Sequence, residues 1–177
     1  MAHKNAHALE WISKALEMEL KGKEYYESAI TKSCNTSSRH MLEMLRDDEI
    51  IHMKRITIIY KKLEDEKIFT GDWKSFKTDS EDMKNFFREL KEKHDISQEC
   101  TPSDIDTLKI AEDFEEKSIH YYSDHLKTAH EPVEQRFLEA MIKEEKGHRK
   151  AIADMLFYLT NPDGYFREME HGGLDGA

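Results

Sequence analysis

The feature that most restricts how this chain can fold is a Glu-x-x-His pattern set twice into the apolar stripe of a long helix. In LEMLRDDEIIHMKRITIIYKKL, residues Leu42, Leu45, Ile56, Ile59 and Leu63 follow the three-four alternation of one helix face, and Glu49 and His52 fill its two missing beats. A second stripe, Leu138, Met141, Ile152, Met155 and Leu159, carries Glu145 and His148 at the same beats. Neither a carboxylate nor an imidazole leaves water cheaply without a partner. The core must contain something that receives all four.

The two patterns lie 96 positions apart. The same offset relates Ala15 to Ala111, Glu19 to Glu115, Tyr25 and Tyr26 to Tyr121 and Tyr122, and Leu42 and Glu43 to Leu138 and Glu139. A gapless repeat of this length predicts two copies of one helical hairpin. The expected fold is all-α: an antiparallel four-helix bundle made of two pseudo-symmetric hairpins joined by a long crossover connection.

Composition agrees. The 177 residues, 38% hydrophobic and 36% charged, suit a single domain over 1–177 built from long helices with solvated faces. A formal net charge of −10 argues against nucleic acid or an anionic membrane as partner. The segment MAHKNAHALE has no apolar signal core, and no run approaches the roughly 18 apolar residues of a membrane span. A soluble cytoplasmic protein is expected. Cys34 and Cys100 are too few for a disulfide scaffold or a four-cysteine metal site, and read as unpaired thiols.

Taken in order, the chain predicts a first helix over 6–32, with Ile12, Glu19 and Tyr26 one heptad apart on its inward face. Turn residues 33–37 lead into a second helix over 37–67. Periodicity weakens through the crossover, 68–101, where Ser80 to His94 reads as a shorter helix carrying Met83, Phe86, Phe87 and Leu90. Thr101 offers a cap and Pro102 a first turn for a third helix over 102–129, with Glu115 facing inward. A fourth helix follows over 132–160. Asn161-Pro162-Asp163-Gly164 reads as a stop, leaving a Gly-rich tail, 161–177, with no periodic pattern of its own.

Glu19 and Glu49 each lie 15 residues from Cys34, and Glu115 and Glu145 each lie 15 from His130. At about 1.5 Å per residue, both pairs sit roughly 22 Å from their turns, so the four carboxylates can meet at mid-bundle with His52 and His148. Such an oxygen-rich, imidazole-supplemented cage suits iron or manganese better than a thiolate-seeking metal. Four carboxylates match the charge of two divalent ions, and an empty cage must take up protons instead. Two iron ions per chain are therefore expected, with manganese or zinc as substitutes. Tyr26 and Tyr122, one heptad after Glu19 and Glu115, either fill core or hydrogen-bond the ligand carboxylates. Glu168 and His171 repeat the spacing without an apolar frame and are not expected to bind metal. His3, His7, His40, His94, His120, His125 and His130 show no paired pattern and read as surface residues.

One Glu on each of the first and third helices, with Glu-x-x-His on the second and fourth, resembles the ferritin-like di-iron carboxylate bundles. The string ALEMELKGKEYYESA and its echo IAEDFEEKSIHYYSDHL are most similar to the rubrerythrin family. That resemblance implies that Glu49 and Glu145 bridge two irons, that Glu19 and Glu115 are terminal ligands, and that His52 and His148 cap opposite ions. It also implies reduction of hydrogen peroxide, with ferritin-like oxidation of ferrous iron by dioxygen for storage as the alternative. The sequence holds none of the Cys-x-x-Cys pairs of a rubredoxin domain, so a separate rubredoxin-like electron donor is expected. A further family carboxylate, one turn after the third-helix ligand, is replaced by Ser118, and Glu112 lies one turn before that ligand. The tail lacks a recognisable fifth bundle helix of the kind that helps close ferritin shells. A homodimer is the expected assembly.

Overall fold

A computed structural model describes residues 2–78, 80–93 and 102–171, and the side chains of 7–78, 81–92 and 102–168. Helix α1 spans Ala2–Lys32 and α2 spans Thr36–Glu66, folded into one hairpin; α4, Pro102–Thr128, and α5, Pro132–Thr160, form the other. The helix α3, Ser80–Lys93, lies in the crossover. Cys100, the Thr101 cap and the His94 end of that helix fall outside the described residues. No helix of the described chain is long and apolar enough to cross a membrane.

The short loops are closed by side chains. Asn35 caps α2 by accepting from the Ser38 amide at 2.8 Å, and Pro132 opens α5 where its missing N–H costs nothing. Asp104 of α4 accepts from the Ser33 hydroxyl at 2.9 Å and the Cys34 amide at 3.1 Å, tying the first hairpin's turn to the start of the second hairpin.

The core is two apolar clusters at opposite ends of the bundle. One gathers Tyr26, Ala29, Leu42, Leu45, Leu108, Ala111, Ile152 and Met155; the other gathers Ile12, Ala15, Ile56, Ile59, Tyr122, Leu138 and Met141. Every pair related by the 96-residue offset is split between them: Ile12 and Leu108, Ala15 and Ala111, Tyr26 and Tyr122, Leu42 and Leu138, Ile56 and Ile152. This exchange is the signature of hairpins related by a pseudo-two-fold axis. The described part of the crossover is pinned at two points, by Trp73 in one cluster and Leu90 in the other.

The tail differs from the sequence expectation. Residues Pro162–His171 form a further helix, α6, whose Tyr165 and Phe166 are buried against Tyr158. Asn161 ends α5 and starts α6 at once: its carbonyl accepts from Tyr165 N at 2.9 Å, and its side chain accepts from Gly164 N at 3.1 Å. Asn-Pro is as good a helix start as a stop, because Pro fits the first helical position. Two adjacent aromatics on a ten-residue segment are too short a pattern to reveal a period.

Candidate metal centre

Between the two apolar clusters lies a polar layer. Glu19, Glu49, His52, Glu115, Glu145 and His148 are all at most 5% exposed. Their ligand-capable atoms fall into two groups within 4.8 Å: Glu49, Glu115, Glu145 and His148 in one, Glu19, Glu49 and His52 in the other. Glu49 belongs to both. Glu145 also faces both ends, with Oε1 3.2 Å from His52 Nδ1 and Oε2 3.2 Å from His148 Nδ1. The His52 and His148 rings lie 5.5 Å apart and nearly parallel. All six residues singled out by spacing are thus brought together, and neither Glu112 nor the exposed Glu168 joins them.

The two tyrosines make hydrogen bonds as well as core contacts. Tyr26 donates to Glu115 Oε1 and Tyr122 donates to Glu19 Oε1, each crossing to the other hairpin. Each bond occupies one oxygen of its carboxylate and leaves the second, Oε2, turned towards the histidines. Burial first, and then the neighbouring carboxylate, holds both phenols well above their usual pKa, so the hydroxyls keep their protons.

Three further residues were not legible as site residues. His52 Nε2 faces Glu144 Oε2 at 3.0 Å, and His148 Nε2 faces Asp48 Oδ2 at 3.0 Å. An outer carboxylate on Nε2 fixes the tautomer that leaves Nδ1 to point into the cluster. Arg55 in turn grips Glu144 at 2.6 Å and donates from Nε to the Phe76 carbonyl at 2.8 Å. The available signal was the residue before each Glu-x-x-His, acidic in both copies.

Charge in the layer is shared unequally. Burial, with Glu19 beside it, raises Glu49 well above the carboxylate range, and burial with Glu145 raises Glu115 to about 8. Burial alone would lower His52 and His148; the carboxylates around them overcome it and raise both well above normal. Glu145 goes the other way, well below 4.5 despite its burial, because both imidazoles face it. The directions of these shifts favour protons on the histidines as well as on Glu49 and Glu115 when no metal is bound.

Within the layer, two buried oxygens lack a hydrogen-bond partner: Glu49 Oε2 and Glu145 Oε1. Although Glu145 Oε1 is 3.2 Å from His52 Nδ1, that nitrogen is paired with Glu19 Oε2, closer at 3.0 Å. Buried unpartnered carboxylate oxygens are costly, and these two belong to the pair that faces both ends. A donor set of four carboxylates and two imidazoles, with those oxygens turned inward, fits a pair of divalent cations.

Gly22 gives the layer its room. A Cβ there would lie 3.1 Å from Glu49 Oε1 and 3.2 Å from its Cδ. Gly22→Ala adds about 1 kcal/mol of helix propensity while pushing Glu49 aside. We expect the metal-free melting temperature to hold or rise and metal affinity to fall; unchanged affinity in a metal titration would show that the space is incidental.

Of the remaining histidines, His125 is half-buried at the surface, stacked on Trp11 at 5.2 Å. It helps to line a surface cleft of about 520 Å³ with Trp11 and Tyr121, which shares no residue with the polar layer. The family model described as Rubrerythrin matches residues 10–156, which spans all six layer residues. No curated protein and no solved structure matches the chain.

Proposed function

The chain belongs to the rubrerythrin family, and on that premise we propose that its polar layer holds two iron ions and that the protein reduces hydrogen peroxide with electrons from a separate, rubredoxin-like donor. The observation that carries the reading is the pair of buried, unpartnered oxygens, Glu49 Oε2 and Glu145 Oε1, 3.8 Å and 3.2 Å from His52 Nδ1. Glu19 and His52 would hold one ion, Glu115 and His148 the other, and Glu49 and Glu145 both. Bound iron supplies the two electrons that cleave the O–O bond of peroxide.

The protein's own part is positioning and exclusion. The apolar clusters on either side of the layer keep bulk water away and strengthen every charge interaction within it. Tyr26 and Tyr122 orient the outer carboxylates and are hydroxyl donors in contact with the layer. Asp48 and Glu144 hold the two imidazoles with Nδ1 inward.

Iron storage is tested beside it, since α6 removes the argument from a featureless tail against a closed shell. Stopped-flow oxidation of the diferrous protein by equimolar peroxide and by dioxygen, with a sizing measurement, separates the two. We expect a homodimer oxidised faster by peroxide, with Ser118→Glu increasing the preference. A large shell that mineralises iron under dioxygen would overturn the assignment.

A further inference from the structure

We infer that the two ends of the polar layer are unequal and fill in order: the first divalent cation is held by Glu49, Glu115, Glu145 and His148, and the second completes the Glu19, Glu49 and His52 end. The inference rests on the two-metal reading above. It assigns Asp48, Glu144 and Arg55 as positioning residues that set the order.

Two separate observations carry it. The first is the donor atoms. At the His148 end four buried groups, three of them carboxylates, already lie within 4.8 Å of one another, whereas at the His52 end only Glu19, Glu49 and His52 do, with Glu145 Oε1 reaching His52 Nδ1 at 3.2 Å from outside that group. A cage with its ligands in place binds with less rearrangement and with more negative charge.

The second is the outer charge, which breaks the pseudo-symmetry. Asp48 and Glu144 occupy equivalent positions of the repeat, and each faces the Nε2 of the other hairpin's histidine at 3.0 Å. Glu144 is matched by Arg55, a buried guanidinium 2.6 Å away. The position equivalent to Arg55 is Ala151, which brings no charge to Asp48. A fixed cation beyond His52 opposes a metal ion there and draws on the carboxylate that would make the imidazole a better donor. Beyond His148, no arginine or lysine among the described residues pairs with Asp48.

Anaerobic titration of the metal-free full chain with cobalt(II), followed by the visible absorption of the bound ion and by calorimetry, tests the order. We expect two steps separated by at least about tenfold in Kd. His148→Ala should remove the tighter step, while His52→Ala should keep it and lose the weaker one. Asp48→Asn should weaken the tighter step by about 10–100-fold, the usual range for an outer-shell partner, and Glu144→Gln should change affinity less. Arg55→Gln should narrow the separation and Arg55→Lys restore it, which a purely structural loss of the Phe76 contact would not do. Two steps of equal affinity, or loss of the tighter step in His52→Ala, overturns the order while the two-metal reading stands. Saturation at one cobalt ion or none in the unmutated chain overturns that reading, and the order with it.

Discussion

Glu145→Ala is expected to cut the metal content of anaerobically reconstituted protein from two ions per chain to one or none. Its carboxylate presents one oxygen to each histidine, at 3.2 Å from either Nδ1, so the substitution removes a ligand from both ends of the layer at once. Glu49→Ala should act alike, since Glu49 belongs to both groups of ligand atoms. Glu168→Ala, on an exposed part of α6, should lose nothing. Binding that is 100-fold above its Kd stabilises a fold by about 2.7 kcal/mol, which for a chain of this size is about 5–10 °C in melting temperature. The variants should therefore forfeit most of the metal-induced thermal shift as well as the metal. Elemental analysis of protein purified without a metal-affinity step is the check, and a single ion at saturation in the unmutated chain would rule out the two-metal layer.

Raising the pH of the metal-free protein from about 6 to about 9 is expected to lower its melting temperature, while the loaded protein changes little. Glu49, Glu115, His52 and His148 all have folded pKa values raised above their unfolded ones, so the folded chain binds their protons more tightly. Stability from such groups is complete below the unfolded pKa and is lost as pH climbs through the folded one, near 8 for Glu115. Glu145 is depressed instead, and its contribution is lost only in acid, outside this window. Each 1 kcal/mol lost corresponds to about 2–4 °C. In the loaded protein, cations stand where the protons were, and Glu115→Gln in the metal-free form should flatten the dependence. A melting curve that is level or rises across this range would contradict the raised values.

Most of the site was legible because it obeys two periodicities at once. The helical period put Glu19, Glu49, His52, Glu115, Glu145 and His148 on inward faces, and the 96-residue repeat matched one set to the other. The same two rules fixed the hairpins and their opposed packing. Asp48, Glu144 and Arg55 escaped because they lie off the apolar stripe, where a charged residue on a helix normally faces solvent. Only the folded chain shows that Asp48 and Glu144 reach the outer nitrogens of the opposite hairpin's histidines and that Arg55 reaches Glu144. Gly22 was unreadable for another reason: its role is the absence of atoms next to Glu49. The α6 helix was hidden by Asn161 and Pro162, which serve one helix end and the next helix start equally well.

The four tyrosines between α1 and α4 carry a further consequence. Tyr26 and Tyr122 each donate to the opposite hairpin's carboxylate, and Tyr25 and Tyr121 each donate to a backbone carbonyl across the same seam, Thr107 at 2.6 Å and Trp11 at 2.8 Å. Thr107 and Trp11 are themselves equivalent positions of the repeat. Every one of these bonds therefore occurs twice, donor and acceptor exchanging places, which is the rule of an isologous interface between identical subunits. Seen this way the seam within one chain has the grammar of a homodimer, and a single hairpin pairing with itself would already present two Glu-x-x-His pairs, two further carboxylates and four hydroxyls that cross the seam. Linking the halves into one chain adds what identical subunits cannot have: one arginine at position 55 and an alanine where its twin would stand.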